Sequence, residues 1–195
     1  MREKSLTTRQ RQSLETNQAL LKVSLELFVR KGYAGTTVRD IAKAAKVSPG
    51  LMFHYFRSKD ALLEAHVKLI AYGIDSVGQR LRCSTEPWDT FRSVAQEMLE
   101  SLNDAYRKNL FLLANQVLSL ESIPSAARRM VSKSKSIEAS TSLIAMGQRR
   151  GEIRKGDPRA LAVAFWGAIQ GIAEILVWNP KAPIPDAEYV MGILK

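Results

Sequence analysis

Two helix-start signals follow one another closely in the first third of the chain, and their spacing constrains the fold more than any other feature. Thr37 is followed three positions later by Asp40, a capping-box pattern that satisfies the free amides of a helix start. Ser48 and Pro49 form a second start, because serine caps helices well and proline at the first helical position loses no hydrogen bond. We therefore predict two short helices joined by a tight turn at residues 45–47, a helix-turn-helix candidate.

Helical periodicity also dominates the rest of the chain. Apolar residues recur at spacings of three and four, and alternating apolar and polar runs are almost absent. We predict an all-α fold of about nine helices, at residues 16–31, 38–45, 48–56, 59–81, 87–106, 109–120, 124–149 and 158–178, with a short one after residue 185. A basic flexible arm (1–14) would precede a helix-turn-helix domain (15–62) and a second helical domain (63–195).

The positive charge is concentrated near the N-terminus. The 195 residues carry a net charge of +10, and residues 1–60 hold 12 of the 29 Lys and Arg but five of the 19 Asp and Glu. This excess favours an anion-binding surface at that end, although a generally basic protein is the alternative.

Three other features bear on where the chain works. The single cysteine, Cys83, allows no internal disulfide, and the polar first 14 residues contain no signal peptide, so we expect a cytoplasmic location. The apolar stretch 160–178 is interrupted by Gln170 and Glu174. This favours a buried or interface helix over a membrane span.

The sequence gives no sign of catalysis. The only histidines, His54 and His66, are twelve residues apart, and we find no metal-ligand spacing, hydrolase serine motif or phosphate loop. We therefore expect no enzymatic activity, no cofactor and no metal.

The second helix of the pair has a pattern suited to DNA. In a helix-turn-helix the N-terminal part of this helix faces base edges in the major groove. Met52 and Phe56 share one face and should pack inward, which turns Leu51 and Phe53 outward. Exposed apolar side chains need cover, and thymine methyl groups are suitable partners.

The motif as a whole resembles the tetracycline-repressor (TetR) family of one-component regulators. The resemblance covers about residues 16–66 and is carried by Thr-Thr-Val-Arg-Asp-Ile-Ala (36–42), Val-Ser-x-Gly (47–50) and His-Tyr-Phe-x-Ser-Lys-x-Ala-Leu-Leu (54–63), with a weaker match at 147–157. It implies a transcriptional regulator, usually a repressor, that binds a palindromic operator as a dimer and is released by a small-molecule effector. The positions that match the family's DNA contacts are Thr37, Arg39, Ser48, Pro49, Gly50, Leu51, Phe53, His54, Tyr55 and Lys59.

Three positions depart from the commonest pattern of that family. Lys46 stands in the turn where glycine is frequent, so either it tolerates the backbone of the turn or the turn shifts slightly. Leu51 replaces a frequent Thr or Ser, and Phe53 replaces a frequent Tyr and lacks its hydroxyl group. The last two differences should change which bases are read.

The resemblance also implies that the second domain binds the effector and forms the dimer. The predicted eighth helix is apolar nearly all round, which fits either a dimer interface or a core helix within one chain. Gln170 and Glu174 on this helix suit either a ligand pocket or a polar network in the interface. Our candidate effector residues are Met98, Leu102, Tyr106, Phe111, Trp166, Gln170 and Glu174, and our candidate dimer residues are Phe165, Ile169, Ile172 and Leu176.

The expected partners are double-stranded DNA, a second copy of the chain and an unknown small-molecule effector, without a membrane. Two alternatives are an activator and an architectural DNA-binding protein without a ligand. The basic residues Arg2, Lys4, Arg9 and Arg11 either contact DNA or form a solvated tail.

Overall fold

Residues 7–132 and 136–195 are described by the structure, which is a computed structural model. These residues form ten helices and contain no strand. The helices are α1 (Thr8–Lys31), α2 (Val38–Ala44), α3 (Pro49–Tyr55), α4 (Lys59–Cys83), α5 (Pro87–Ser101), α6 (Ala105–Ser119), α7 (Ser125–Ser132), α8 (Ser136–Arg150), α9 (Pro158–Trp178) and α10 (Ala187–Met191). The predicted all-α class is confirmed.

Most helix limits agree with the prediction, and the differences have local causes. α1 begins eight residues early because Thr7 and Gln10 form a capping box, so Arg9 and Arg11 are helical. Arg2 and Lys4 lie outside the described residues. The predicted fifth helix ends early, because the Asp104 side chain accepts a hydrogen bond from the Arg107 amide and starts α6. The predicted seventh helix covers α7 and α8, with residues 133–135 between them outside the described part.

The first core joins the three N-terminal helices to the rest of the chain. It buries Phe28 of α1, Ile41 of α2 and Met52 of α3 against the N-terminal half of α4. Leu113 and Val117 of α6, together with residues of α7, are buried in the same cluster. The helix-turn-helix is therefore joined to α6 and α7 through α1 and α4, and Leu62 and Leu63, on either side of the predicted boundary, both belong to this core.

A buried polar pair lies in this core. The Nε2 atom of His66 in α4 is 3.0 Å from Oγ of Ser24 in α1, and both residues are fully buried. The Ser24 hydroxyl donates to the Leu21 carbonyl, so the His66 Nε2–H is the donor to Ser24. Burial lowers the pKa of His66 to about 4, which keeps the ring neutral at physiological pH.

A second core lies between α5, α8, α9 and α10. The aromatic rings of Phe91 and Phe165 meet edge to face at 5.1 Å in its centre. The turn from α8 to α9 closes against this core, because Gly147 lets the side chains of Ile153 and Pro87 approach its backbone. A Cβ atom at position 147 would lie 2.7 Å from Ile153 Cδ1, which explains the glycine in this part of the sequence.

The orientation of α9 corrects the predicted dimer residues. Phe165, Ile169 and Leu176 face the core of their own chain and are at most 5% exposed, while Ile172 is half-buried against the same core. The exposed face of α9 instead carries Val163, Gly167, Gln170, Glu174 and Trp178. A helix that is apolar all round does not reveal which side meets its own core.

α9 is unusually exposed for so apolar a helix. By length and composition it could cross a membrane, which is weak evidence because core helices of ordinary globular proteins meet the same criteria. Only 28% of the most apolar stretch of α9 is buried inside the chain. This helix therefore has an apolar face that its own chain leaves uncovered.

Candidate nucleic-acid interface

The outer face of α3 exposes the two apolar side chains that the sequence predicts to face outward. Ser48 caps the helix by accepting a hydrogen bond from the Leu51 amide at 3.1 Å, and Pro49 occupies the first turn. Met52 is fully buried and anchors the helix. Leu51 and Phe53 are 40% and 49% exposed, so α3 presents two large apolar side chains to solvent.

The neighbouring side chains on the exposed surface are mostly polar or small. Ser48, Pro49, Gly50 and His54 are all exposed, and the ring of His54 meets that of Tyr55 edge to face at 5.4 Å. The Tyr55 hydroxyl donates to Ser13 Oγ at 3.3 Å, which places the first turns of α1 beside the end of α3. The basic residues of α1 thus begin near this surface.

The start of α2 is fixed by the predicted capping box. Asp40 accepts hydrogen bonds from the Thr37 amide and hydroxyl at 3.0 and 2.7 Å, and the Asp40 amide donates to Thr37 Oγ1. These Thr37 hydrogen bonds hold the pKa of Asp40 below its usual value. The Thr37 hydroxyl proton is therefore used within the cap, whereas Arg39 extends from α2 into solvent.

The balance of charge on this surface is positive. Its carboxylates are engaged within the chain, since Asp40 is held by Thr37 and Lys31 and Asp60 accepts a hydrogen bond from the Tyr33 hydroxyl. Four exposed basic residues around α2 and α3 have no carboxylate within ion-pair distance among the described residues: Arg39, Lys43, Lys46 and Arg57. Of these four residues only Arg39 was predicted as a DNA contact, although the excess of positive charge in residues 1–60 also includes the other three.

Lys59 has a different environment from the other predicted contacts. Its Nζ donates to the carbonyls of Tyr33 and Thr36 at 2.8 and 2.9 Å and lies 4.1 Å from the centre of the Tyr33 ring. Burial lowers the pKa of Lys59. The ammonium group is thus directed into the loop between α1 and α2.

The turn between α2 and α3 has a glycine-like backbone at Lys46. Lys46 has a φ of 56°, in the left-handed region where glycine is favoured. The Lys46 and Val47 amides donate to the carbonyls of Lys43 and Ala42, the paired hydrogen bonds of a Schellman helix end. Lys46 therefore adopts the glycine-like conformation at a cost in stability.

The predicted effector residues do not converge on one cavity. Gln170 donates to Glu174 at 3.2 Å on the exposed face of α9, and Trp166 donates from Nε1 to Ser140 Oγ at 2.9 Å. The ring centroid of Tyr106 lies 6.4 Å from that of His66 in the first core. Met98 and Phe111 are half-buried against the second core, so only some of the candidates face a possible ligand space.

An open groove of about 790 Å³ lies between α5, α6 and the segment that joins α9 to α10. Leu102, a candidate effector residue, and Leu176, a candidate dimer residue, form part of its apolar wall. Its rim includes Asn103, Lys108 and an ion pair of Arg92 with Glu188 at 2.9 Å. The groove combines apolar and charged surface at a size typical of ligand sites. Among the residues that the structure describes, no cluster of three His, Cys, Asp or Glu suited to a metal is present.

Residues 20–66 match the model of the family described as bacterial regulatory proteins, tetR family. The chain is 30% identical over 163 residues to the transcriptional regulator AcuR of Cereibacter sphaeroides, covering 80% of this chain and 73% of AcuR. The matches to three HTH-type transcriptional regulators of Bacillus subtilis, YuxN, YerO and YvkB, cover 31%, 17% and 26% of those proteins. The chain thus matches a third or less of the length of these three relatives.

Solved structures share the fold over most of the chain. The TetR family transcriptional regulator PfmR from Thermus thermophilus has a TM-score of 0.68 at 20% identity, covering 90% of this chain and 96% of PfmR. AibR in complex with isovaleryl coenzyme A and operator DNA has a TM-score of 0.67 at 18% identity, covering 91% of this chain and 95% of AibR. At these identities the similarity shows the fold.

The strained turn leads to a stability prediction. We expect Lys46→Gly to raise the free energy of unfolding by about 1 kcal/mol, because glycine adopts the left-handed conformation without the steric penalty of a side chain. Lys43→Gly is the matched control, since it removes the same charge from a helical position and should lower the stability by about 1 kcal/mol. Urea denaturation followed by circular dichroism measures both. A Lys46→Gly variant less stable than the parent would contradict the left-handed backbone assigned to residue 46.

Proposed function

Because the chain belongs to the tetR family of transcriptional regulators, we propose that it is a repressor that binds a palindromic operator as a homodimer and is released by a small-molecule effector. The single observation that carries DNA reading is the exposed apolar pair Leu51 and Phe53 on a short, firmly capped helix beside unpaired cations. As a DNA-binding regulator it acts where the chromosome is, in the cytoplasm.

In this proposal α3 enters the major groove and reads base edges. Leu51 and Phe53 cover thymine methyl groups, which compensates for their exposure in the free protein. Gly50 at the start of the helix allows close approach of the backbone, and the exposed Ser48 and Pro49 stand beside it.

Phosphate contacts on either side orient this helix. Arg39 from α2 and His54 from α3 are exposed on the same surface as Leu51 and Phe53. Lys43 and Arg57 extend the basic surface, and the helical Arg9 and Arg11 offer further charge from α1. Such contacts supply affinity without base discrimination, and each makes binding more sensitive to salt.

Phe53→Ala tests the reading of bases. We expect this variant to lose discrimination between the promoter next to the protein's own gene and random DNA by roughly tenfold or more, because one good base contact is worth about 1–3 kcal/mol. Fluorescence anisotropy with labelled duplexes at several salt concentrations measures the ratio of affinities.

Leu118→Ala is the matched control, because Leu118 is 52% exposed but lies on α6. This control should keep the parent's discrimination. A parent protein that binds its promoter no better than random DNA would refute the proposed function, and unchanged discrimination in Phe53→Ala would refute the assigned face.

The uncovered face of α9 supports a homodimer. Val163 is 55% exposed and Trp178 is 74% exposed, and Gly167 between them has nothing within 4 Å of a Cβ position. Two such faces related by a two-fold axis would bury this surface and bring small residues into contact. To bind one operator, such a pair would have to present its two α3 helices on one side of DNA, at a spacing of roughly 34–36 Å for successive half-sites.

Gly167→Arg tests this interface. The arginine fits the free chain, because nothing lies near position 167, but its long side chain would hold the two helices apart at the two-fold contact. We expect sedimentation to show monomers and operator binding to weaken by at least about tenfold, since the half-sites are no longer bound together. Gly73→Arg is the control, because Gly73 is also an exposed helical glycine with nothing within 4 Å. Dimers of Gly167→Arg would refute the interface.

The groove between α5, α6 and the α9–α10 segment is our proposed effector site. AibR, which shares the fold, has been solved with both isovaleryl coenzyme A and operator DNA. An acyl-coenzyme A thioester combines an apolar tail with a polyanionic end. The groove offers the apolar wall of Leu102 and Leu176 to the tail, whereas its charged lining sets Arg92 and Lys108 beside the carboxylates of Glu100, Asp186 and Glu188, so we assign only the acyl tail to it. The effector weakens DNA binding only by the difference in its affinity for the two conformations of the dimer.

Thermal shift with isovaleryl coenzyme A tests this site. We expect the ligand to raise the melting temperature and to weaken operator binding by about 5–150-fold, the usual range of coupling. Asn103→Trp should abolish both effects by filling the groove from its exposed rim, whereas Gln79→Trp on an exposed face of α4 should not. If isovaleryl coenzyme A raised the melting temperature of both variants equally, the ligand would bind outside the groove.

A further inference from the structure

The ammonium group of Lys59 is occupied inside the chain. It has three N–H donors, and two of them bond to the Tyr33 and Thr36 carbonyls at 2.8 and 2.9 Å. The Tyr33 ring, with its centre 4.1 Å from Nζ, covers a further side of the cation. The surroundings also lower the pKa of Lys59 through desolvation.

The loop that Lys59 holds is tightly folded. Gly32 begins it with a φ of 74°, and the side chain of the buried Thr36 donates to the Gly32 carbonyl at 2.8 Å. A Cβ on Gly35 would lie 2.5 Å from the Lys31 carbonyl oxygen, so the chain doubles back closely on the end of α1. The carbonyls of residues 33 and 36 consequently point to one place, where Lys59 binds them.

Tyr33 contacts both residues at the start of α4, Lys59 and Asp60. Its hydroxyl donates to Asp60 in the first turn of α4, while its carbonyl and ring bind the neighbouring Lys59. We call these three residues, Tyr33, Lys59 and Asp60, the loop clamp. Because Thr36 is followed directly by Thr37, the cap of α2, the loop clamp determines where α2 begins relative to α4.

We infer that Lys59 supports DNA binding as a positioning residue, through the loop that places α2 and α3, and does not neutralise a DNA phosphate. This inference rests on the proposed DNA-binding function. Since the Tyr33 ring lies over a further side of the ammonium, a phosphate would have to displace the ring or one of the carbonyls. Without Lys59 the Tyr33 carbonyl keeps only the Thr36 amide, a longer bond of 3.3 Å, and the Thr36 carbonyl keeps no donor among the described residues. A hydrogen bond from a charged group is costly to lose when its partner stays partly buried.

Salt dependence distinguishes the two roles. A phosphate ligand contributes a slope of about 0.9 to log Kd against log salt, so removing it from both protomers lowers the slope by about 1.8. We expect Lys59→Met to weaken binding to operator and random DNA by at least about tenfold with the slope of the parent. Arg39→Gln is the phosphate control and should lower the slope by about 1.8.

Two further measurements separate positioning from a general loss of folding. Binding is measured below the melting range of every variant, where a role in stability alone would leave Kd unchanged. Amide hydrogen exchange in Lys59→Met should accelerate at residues 33–40 and remain unchanged in α8 and α9. Lys59→Arg provides a second variant, because arginine binds phosphate well but its planar fork differs from the ammonium that the loop surrounds.

The outcomes are distinct. Weakened binding of Lys59→Arg and Lys59→Met with a parental slope supports the inference. A slope reduced by about 1.8 in Lys59→Met, or parental affinity in either variant, overturns it while leaving DNA binding itself intact. If the parent protein shows no operator binding, the proposed function fails instead.

Discussion

The arrangement of the whole chain depends on the burial of one side of α4 in two different cores. Leu62, Leu63 and Val67 near its start are buried with α1–α3, and Leu81 near its end is buried with α5, α8 and α9. A helix of 25 residues spans about 37 Å at 1.5 Å per residue, so α4 is a rigid connection between two packed clusters. Packing on α6 and α7 completes the first cluster, and the helix-turn-helix therefore has no core of its own.

The neutral His66 adds a directional hydrogen bond to the apolar packing of the first core. The hydrogen bond between His66 and Ser24 is directional, so it favours one rotational setting of α4 relative to α1. Nδ1 of His66 has no hydrogen-bond partner within the described residues, and its ring lies near the Tyr106 ring of α6. The packing of α1, α4 and α6 is thus specified by polar as well as apolar contacts.

Sequence reasoning succeeded where the signal was local and failed where it depended on neighbours in space. The caps at Thr37 and Ser48 and the unusual turn at Lys46 follow from nearby residues, and the structure contains all three. The core positions of Phe165 and Ile169 did not follow, because α9 is apolar on every side and its periodicity does not separate core from interface. Lys59 shows the same limit for a cation, since its partners at residues 33 and 36 are distant in sequence.

The loop clamp lies at the end of α4 that is nearest to the proposed DNA surface, and this has a consequence for regulation. Any tilt of α4 caused in the second core would move Lys59 and Asp60 with it, since both belong to the first turn of the helix. The loop before α2 would follow, because Tyr33 and Thr36 are bonded to those residues. In the proposed regulator, the clamp would thus connect a movement of α4 to the start of the helix-turn-helix.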